Sequence, residues 1–528
     1  MIARLTFLLL VVILISACAG PQATAGTMEI HVVLDGESQQ YDVPAGSTVR
    51  QSLENAGIEL GPLDRTDPPG YTVLTAGSSV QVTRVVEEFE VEESVLPFER
   101  QTVRNEGLPE GETRLLQPGT NGLQETTFRL VYEGDELISR TPVRQKVLQA
   151  PQPEIVMVGS QAAFTPVAIQ GTLAYVSGGN AWLMEGSSAN RQPVVVSGDL
   201  DGRILEISPD GDWLLFSRTS ADEEQINSLW VIDLTDPDAE PLSVTAENVV
   251  HFAAWSPEQG RLDIAYSTVE PSPAAPGWQA NNDLMLAILG QDGRVLDRRI
   301  ILPANAGGQY GWWGTQFAWA PDGVHLAYAR ADSIGTVDIR EPDFEELLEI
   351  TPYQTLSDWA WIPGLTWGRD SRTLFFVNHG QPLGLEEAAA SPVFNLAAVP
   401  PQGTGPLTLS DQTGMFAQPS SSPATVTEHG EVGYRLAYLQ AANPLSSDDS
   451  TYRLYISDRD GSNPRRLFPS PDQPGLRGDD LQHPVEWSPD GDRIALRYRG
   501  DLWIVDVATG IVQQITGDGQ TSAYDWKG

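Results

Sequence analysis

The residues best suited to chemistry are aromatic side chains that stand just before strand-like runs in the second half of the chain. Tyr310-Gly-Trp312-Trp313-Gly and Asp358-Trp359-Ala-Trp361 precede two such runs, and His251 and His483 hold equivalent places elsewhere. Rings at the edge of a cavity, with carboxylates nearby, can stack on sugars or hold a peptide. The alternative is that these rings only plug a central channel or pack beneath long loops. The predicted ligand site comprises Trp312, Trp313, Trp359, Trp361, His251 and His483.

Catalysis at such a site would need a second kind of residue, a pair of carboxyl groups. An acid and a base about 5–10 Å apart beneath the tryptophans would indicate a glycan lyase or hydrolase. Asp358 and Glu486 are the candidate acids, but the sequence favours a solvated position at the rim of the channel for each. We therefore predict a protein that is not an enzyme, with a carbohydrate-active enzyme as the alternative.

The sequence contains no motif for a metal site, a cofactor site or a serine nucleophile. The six histidines are scattered without a His-x-x-x-His pair, and the single cysteine excludes a cysteine metal site. The Asp-Gly turns at 201–202 and 460–461 are typical of hairpins and lack the terminal glutamate of a calcium loop. No Gly-x-Ser-x-Gly elbow occurs. The sequence predicts no metal and no cofactor.

The cysteine stands where it predicts a membrane anchor. Arg4 is followed by an apolar run from Leu5 to Ile15, which is shorter than the roughly 20 residues of a spanning helix. Ile15-Ser-Ala-Cys18 resembles the bacterial lipobox, and the resemblance implies a signal peptide over 1–17 and a lipid on Cys18. We therefore expect an exported protein on the outer face of the cytoplasmic membrane or elsewhere in the cell envelope.

Composition narrows the classes of partner and fold. The 528 residues include 71 acidic and 32 basic side chains, a formal net charge of −39. Such a surface repels the phosphates of nucleic acids, so nucleic acid is excluded as a partner. With 49 glycines and 39 prolines, the chain has many turns between short strands. The predicted fold is mainly β.

From about residue 161 to 528 the chain repeats one pattern, an apolar triplet that usually follows a Trp-Ser-Pro-Asp-Gly-like turn. Four strands for each repeat at this spacing indicate propeller blades. Ser522-Ala-Tyr-Asp-Trp526 matches the strand that precedes the triplets, so it should complete the first blade. The pattern resembles TolB-like, WD40-like propellers. Seven blades are predicted and six are the alternative. The seven triplets are Leu173-Ala-Tyr175, Leu214-Leu-Phe216, Ile264-Ala-Tyr266, Leu326-Ala-Tyr328, Leu374-Phe-Phe376, Leu436-Ala-Tyr438 and Ile494-Ala-Leu496.

Two small modules precede the repeats. Residues 28–84 alternate as a hairpin, a short helix over Val49–Ala56 and strands near Thr72–Leu74 and Ser79–Val85, and the run from Thr48 resembles bacterial ubiquitin-like modules. Residues 85–160, with Leu96-Pro-Phe98, spaced glycines and a Val-Gly159 end, resemble a G5 domain. That resemblance implies a thin β module associated with N-acetylglucosamine-containing polymers, or alternatively a stalk.

These features predict one organisation and one role. Residues 1–17 are a signal peptide, 18–27 a lipidated tether, 28–84 a ubiquitin-like module, 85–160 a G5 domain and 161–528 a propeller. The predicted function is recognition of cell-wall glycan, such as peptidoglycan, or of an envelope protein, through the G5 domain and the propeller. The alternatives are a glycan-active enzyme with its site in the propeller channel, or a structural scaffold.

Overall fold

The computed structural model describes residues 26–160, 164–400, 405–426, 432–483 and 485–528. Cys18 and the predicted signal peptide lie outside these residues. The fold is mainly β, as predicted, and α1 (below) is the one α-helix in the described ranges. Two compact units are present: Met1–Gln101 with Leu115–Ile155, and Thr102–Arg114 with Val156–Gly528.

The first module is a four-stranded sheet that covers one short helix. Its elements are β1 (Thr27–Leu34), β2 (Glu37–Pro44), α1 (Val49–Asn55), β3 (Arg65–Asp67) and β4 (Ser79–Thr83), in the sheet order β2-β1-β4-β3. Thr48 caps α1 in a capping box with Gln51, which satisfies the first free N–H groups of the helix. The third strand is Arg65–Asp67 and the predicted strand near Thr72–Leu74 is wrong, because Val73 makes only an isolated bridge with Thr48.

The second module consists of two three-stranded sheets, with orders β5-β8-β9 and β6-β10-β7. The strands of the first sheet are long and mostly exposed, since a single layer has no core to cover. The strands are β5 (Val85–Leu96), β6 (Arg100–Asn105), β7 (Thr113–Gln117), β8 (Gly122–Glu133), β9 (Glu136–Gln149) and β10 (Glu154–Gly159).

The remaining described residues form seven four-stranded antiparallel sheets, the blades of a propeller. Blade 1 contains β11 (Ala168–Ser177), β12 (Asn180–Ser187) and β13 (Arg191–Val195). Blade 2 contains β14 (Leu200–Ile207), β15 (Trp213–Thr219), β16 (Asn227–Asp233) and β17 (Leu242–Glu247). Blade 3 contains β18 (Ala253–Trp255), β19 (Leu262–Tyr266), the added hairpin β20 (Val269–Pro271) and β21 (Trp278–Ala280), then β22 (Leu284–Leu289) and β23 (Val295–Leu302).

The later blades follow the same order. Blade 4 contains β24 (Gln316–Trp319), β25 (His325–Ala329), β26 (Ser333–Asp338) and β27 (Phe344–Glu349). Blade 5 contains β28 (Leu365–Trp367), β29 (Leu374–His379), β30 (Phe394–Val399) and β31 (Leu407–Ser410). Blade 6 contains β32 (Ser420–Ser421), the added β33 (Thr425–Val426) and β34 (Val432–Gly433), then β35 (Arg435–Ala441), β36 (Tyr452–Asp458) and β37 (Arg465–Phe468). Blade 7 contains β38 (Glu486–Trp487), β39 (Arg493–Tyr498), β40 (Asp501–Asp506) and β41 (Val512–Gln514). Short 3-10 helices lie at Gly311–Trp313, Ala388–Ala390, Pro444–Ser446 and Gly478–Leu481.

The ring is closed by the final strand, β42 (Thr521–Lys527), which pairs with β11 of blade 1. Leu173 lies opposite Trp526, so the predicted closure and the predicted seven blades are both confirmed. The apolar core lies between consecutive blades: one buried cluster joins blades 2 and 3, and another joins blades 6 and 7. We call the first strand of each blade, and β42 in blade 1, its inner strand.

Within the second unit, the segment 102–114 packs on blade 1. Glu106 Oε2 lies 2.5 Å from Arg191 Nη1, and both side chains are buried. The same carboxylate accepts the Gly517 N–H at 3.1 Å, and Asn105 Nδ2 donates to the Arg191 carbonyl at 3.3 Å. A buried charge pair of this kind is costly to break, so the segment is held firmly on the blade.

Among the residues described, no helix has the length and apolar character needed to cross a bilayer.

Candidate functional site

The inner strands bring one repeat position to the centre of the ring. It is the residue directly before the repeat's tryptophan, whose place is taken by Ile207 in blade 2 and by Ser421 in blade 6. The side chain at this position differs between most blades. Successive blades repeat the same strand order, so the inner strands run in one direction around the channel. In blades 2 to 7 these residues line a cavity of about 660 Å³, the channel cavity. From blade 2 round to blade 1 the residues are Glu206, Ala254, Ala318, Thr366, Ser420, Glu486 and Asp525.

Three of these positions are acidic, and they belong to neighbouring blades. Glu486 is in blade 7, Asp525 in blade 1 and Glu206 in blade 2, which are adjacent because β42 closes the ring. Asp525 Oδ2 accepts the Ile207 N–H at 2.7 Å, and Glu206 Oε2 accepts the Trp255 N–H at 2.8 Å. Main-chain donors from the next blade thus fix two of the three carboxyl groups.

A lysine balances part of this charge. Lys527 Nζ lies 3.2 Å from Asp525 Oδ1, and the Asp525 carboxyl is 4% exposed. The neighbouring Asp525 carboxylate, followed by those of Glu486 and Glu206, raises the pKa of Lys527, so its amine stays charged. Lys527 and Asp525 therefore form an ion pair beside the channel cavity.

Within this cluster, Glu206 and Glu486 are the two carboxyl groups whose pKa values are raised. Burial is the largest cause that raises the pKa of Glu206, and the charge of Asp525 raises it further, while Lys527 lowers it. Burial also raises the pKa of Glu486, with further increases from Asp525 and Glu206. Three carboxyl groups share one lysine, so the cluster favours protonated glutamate over a surplus of negative charge. Such a pair can both donate and accept hydrogen bonds near neutral pH.

Arg369 closes the other side of the channel cavity. Its Nε and Nη2 donate to the carbonyls of Ser422 and Ser421 at 3.2 and 3.0 Å, which ties blade 5 to the inner strand of blade 6. Burial lowers the pKa of Arg369, and the charge of Glu486 raises it. The guanidinium therefore contributes a positive field at the side of the cavity facing Glu486.

Tryptophans hold the inner strands at this spacing. The indole N–H of Trp255 donates to the Glu206 carbonyl at 3.1 Å, that of Trp367 to Ala318 at 3.1 Å, and that of Trp487 to Ser420 at 3.3 Å. Each acceptor is the channel-lining position of the preceding blade. The same indoles that pack between blades therefore also position the residues of the channel cavity.

The predicted aromatic site lies toward the other end of the inner strands. His251 and His483 come two and three residues before β18 and β38, whereas the channel cavity gathers the carboxyl ends of these strands. His251 packs edge-on against Trp278 with centroids 4.4 Å apart, and a Cβ on Gly314 would lie 2.6 Å from its Nε2. Burial lowers the pKa of His251 to about 4, so the ring is neutral.

The four predicted tryptophans occupy different environments. Trp312 and Trp313 are half-buried in the 3-10 helix, and Trp359 is 37% exposed. Trp361 is 2% exposed, packs on Phe394 and donates its indole N–H to the Met415 carbonyl at 3.0 Å. No ring contact in the described ranges joins the first two to the last two. Trp361 is therefore a core residue that offers no surface to a ligand.

The other three predicted residues, His483, Asp358 and Glu486, lie in three different environments. The ring of His483 lies 6.2 Å from that of Tyr524, and burial followed by the charge of Arg497 lowers the His483 pKa. Asp358 is exposed. Glu486, the second candidate acid, faces the channel cavity. Only this last residue joins the charged cluster.

Sequence reasoning missed Glu206, Asp525, Lys527 and Arg369. A signal was present, because aligning the repeats on their Ser-Pro-Asp-Gly turns and tryptophans puts acids at one position in blades 7, 1 and 2. Arg369 replaces the proline that follows Trp-Ser in other repeats, such as Pro257 and Pro489. A residue that differs from the repeat pattern, such as Arg369, is not needed to form the blade and is therefore a candidate for function.

Family models match three parts of the chain. The G5 domain model matches residues 87–161, and the G5-linked ubiquitin-like domain model matches residues 30–70. The model of the dipeptidyl peptidase IV N-terminal region matches residues 440–525. The first two matches confirm the predicted G5 and ubiquitin-like modules.

Solved structures resemble separate parts of the chain. A G5 domain of an IgA1 protease is 28% identical, with 15% of this chain and 94% of that chain covered and a TM-score of 0.12. A TolB from Agrobacterium tumefaciens is 17% identical over 63% and 96%, with a TM-score of 0.33. A structure from Bacteroides fragilis, described as a 6-phosphogluconolactonase, is 11% identical over 67% and 96%, with a TM-score of 0.40. No curated protein matches the sequence.

Proposed function

We propose that the chain is a lipid-anchored, extracytoplasmic recognition protein whose propeller binds a glycan of the cell envelope in the channel cavity. Its lipid is carried by Cys18, and the ubiquitin-like and G5 modules are the part of the chain between that anchor and the propeller. The observation that carries the proposal is the group of Glu206, Glu486 and Lys527 in the channel cavity, with Asp525 paired to Lys527 beside it.

The chemistry of the cavity suits a sugar. Protonated and ionised carboxyl groups together can donate to and accept from hydroxyl groups, and the half-buried Trp319 presents ring surface on the wall. A volume of about 660 Å³ lies within the usual range for small-molecule sites, roughly 300–1,000 Å³. One or two sugar units of a longer polymer would fit there.

The test is binding of residues 19–528 to purified peptidoglycan and to a glycan array. The channel variant is Glu206→Gln with Glu486→Gln, which keeps shape and removes both titrating groups. Its matched control is Glu345→Gln with Glu387→Gln, two exposed glutamates elsewhere on the propeller. We expect the channel variant to bind at least about tenfold more weakly, a change of about 1.4 kcal/mol, and the control to bind normally.

A third variant separates the two ends of the channel. Trp312→Ala with Trp313→Ala alters the amino ends of the inner strands and leaves the channel cavity intact. If this variant loses binding and the channel variant does not, recognition lies at the predicted aromatic site. Binding that survives both pairs of changes would assign recognition to the G5 region, and binding only to envelope proteins would refute the glycan as ligand.

The second candidate is a glycan-active enzyme, which the raised pKa values of Glu206 and Glu486 favour. One protonated and one ionised carboxyl group are the acid and base that glycoside hydrolysis needs. Incubation with peptidoglycan fragments would then produce new reducing ends or unsaturated sugars. Recovery of unchanged fragments after saturating binding would leave recognition as the function.

A further inference from the structure

A second pocket lies at the opposite end of blade 7 from the channel cavity. It has a volume of about 380 Å³ and is lined by Arg477, Arg497 and Arg499, which we call the arginine pocket. Arg477 directly precedes the 3-10 helix Gly478–Leu481, and Arg499 lies in the turn after β39. Because β39 runs antiparallel to the inner strand β38, its end lies beside the start of β38.

The charge of this pocket is opposite to that of the chain. The whole protein carries 71 acidic against 32 basic side chains, yet three arginines meet here with two aspartates, Asp479 and Asp480. The local sum is therefore one positive charge. A positive concavity on a strongly negative molecule draws small anions toward itself and away from the surrounding surface.

The guanidinium groups of this pocket have N–H donors without acceptors among the described residues. Arg497 is 14% exposed, and its Nε is buried without a hydrogen-bond partner among the described residues. Its Nη1 donates to the Asp479 carbonyl at 3.1 Å, but its Nη2 lies 3.8 Å from the Asp479 carboxylate. Arg477 and Arg499 are exposed and form no ion pair within the described ranges. A buried guanidinium N–H without an acceptor is costly, and an oxyanion would satisfy it.

Asp480 holds the main chain at two of the arginines, Arg477 and Arg499. Its side chain is buried, and its carboxylate accepts the main-chain N–H groups of Arg477, Gly500 and Arg499. Burial raises the pKa of Asp480, and these hydrogen bonds oppose the increase. The carboxylate thus joins the two chain segments that carry Arg477 and Arg499. Both side chains line the pocket, and the Arg499 guanidinium also lies 5.4 Å from the centroid of the Tyr498 ring.

We propose that the arginine pocket binds an oxyanion, a phosphate or carboxylate group carried by a ligand. Three guanidinium groups around one concavity supply planar pairs of N–H donors, the geometry that both kinds of oxyanion accept. Neither the channel cavity nor its glycan takes part in binding at the arginine pocket. The two proposals can therefore be tested independently of each other.

Isothermal titration of the full chain with pyrophosphate and, separately, with citrate tests the site. The pocket variant is Arg477→Gln with Arg499→Gln, both exposed side chains whose loss leaves the fold intact. The matched control is Arg372→Gln with Arg466→Gln, two exposed arginines outside the pocket that give the same change in net charge. We expect saturable binding by the wild type, weakened at least about tenfold in the pocket variant and less than about twofold in the control.

The two titrants also distinguish the source of the oxyanion. Tighter binding of pyrophosphate assigns a phosphate-bearing ligand, and tighter binding of citrate assigns one with carboxylates. Equal weakening in the pocket variant and the control would mean that only the overall charge matters, and it would overturn the site. Absence of saturable heat with both titrants in the wild type would overturn it as well.

Discussion

Glu486 and Glu206 belong to one charged cluster with Asp525, in which Lys527 forms the ion pair and Arg369 also lowers the pKa of Glu486. Their raised pKa values are statements about stability, because the fold prefers each carboxyl in its protonated form. That preference is fully present below the ordinary glutamate pKa of 4.5 and is lost as pH rises into the raised range of the folded protein. The folded state is therefore predicted to weaken toward alkaline pH at this cluster.

The variant Glu486→Gln isolates that contribution. Gln resembles the protonated acid and does not ionise, so near pH 5 the variant should match the wild type. Near pH 8 we expect it to be more stable by on the order of 2 kcal/mol, measured by denaturant unfolding at both pH values. Glu387→Gln, an exposed site, should show no such difference. An equal effect of Glu486→Gln at both pH values would contradict the ionisation argument.

Single residues show the limit of what spacing can predict. Trp359 and Trp361 stand two apart, which in a strand would place both rings on one face. The segment is not a strand, so one ring is exposed and the other is buried against Phe394. Aligned repeats, in contrast, could have revealed Asp525, which precedes Trp526, and Glu206, which precedes Ile207 at the tryptophan position, since this strand position keeps its orientation from blade to blade.

At the scale of the element, the inner strand depends on its tryptophan. The indole of Trp367 is buried and reaches the Ala318 carbonyl of the preceding blade, whereas Trp319 Nε1 is buried with no hydrogen-bond partner in the residues described. The same substitution at these two positions thus differs by one hydrogen bond. Trp367→Phe should cost about 1 kcal/mol more in unfolding free energy than Trp319→Phe.

Denaturant unfolding of the two variants beside the wild type measures this difference. Both changes remove the same part of the ring, but Trp367 is 4% exposed and Trp319 is half-buried, so lost packing adds to the cost at Trp367. Equal losses would show that the indole hydrogen bond contributes nothing net and that packing alone holds the blades together.

Element boundaries were predicted where side-chain patterns are strong and missed where they are weak. Every apolar triplet lies in the second strand of a blade, because that strand is buried on both faces. The third strand of the ubiquitin-like module was misplaced, since Arg65–Asp67 carries no apolar alternation. It pairs with Thr83–Gln81 at an edge, where main-chain hydrogen bonds and not side chains decide the register.

At the scale of the whole molecule, closure of the ring depends on eight residues. Removing 521–528 deletes β42, exposes the edge of β11 and leaves the Ile207 N–H without its acceptor. We expect the midpoint of thermal unfolding to fall by at least about 10 °C, since the strand buries Trp526 and pairs along its length.

A synthetic peptide of residues 519–528 provides the control for that truncation. Added in excess, it should restore the transition by pairing with β11, and a peptide with Trp526→Ala should restore less. A truncated chain that unfolds at the wild-type temperature would show that closure does not stabilise the ring.

The number of blades was predictable because seven triplets mark seven second strands. The repeat in blade 6, which lacks its tryptophan, keeps an inner strand of only Ser420–Ser421, so the blade persists with less sequence signal. The channel cavity was not predicted as a whole, because it gathers the same position from each of six repeats. Only a ring brings such positions together.

Closure by the last strand also determines when this protein can finish folding. The indole of Trp526 reaches the Gln170 carbonyl, a partner 356 residues earlier in the chain. During synthesis the first blade is begun early and completed last, on the order of tens of seconds later. Until then β11 has an open edge, and Asp525 and Lys527 are absent from the channel. The channel cavity is therefore complete only after β42 has been synthesised and has paired with β11. Chaperones that bind unfolded chains can bind the open ring during that interval.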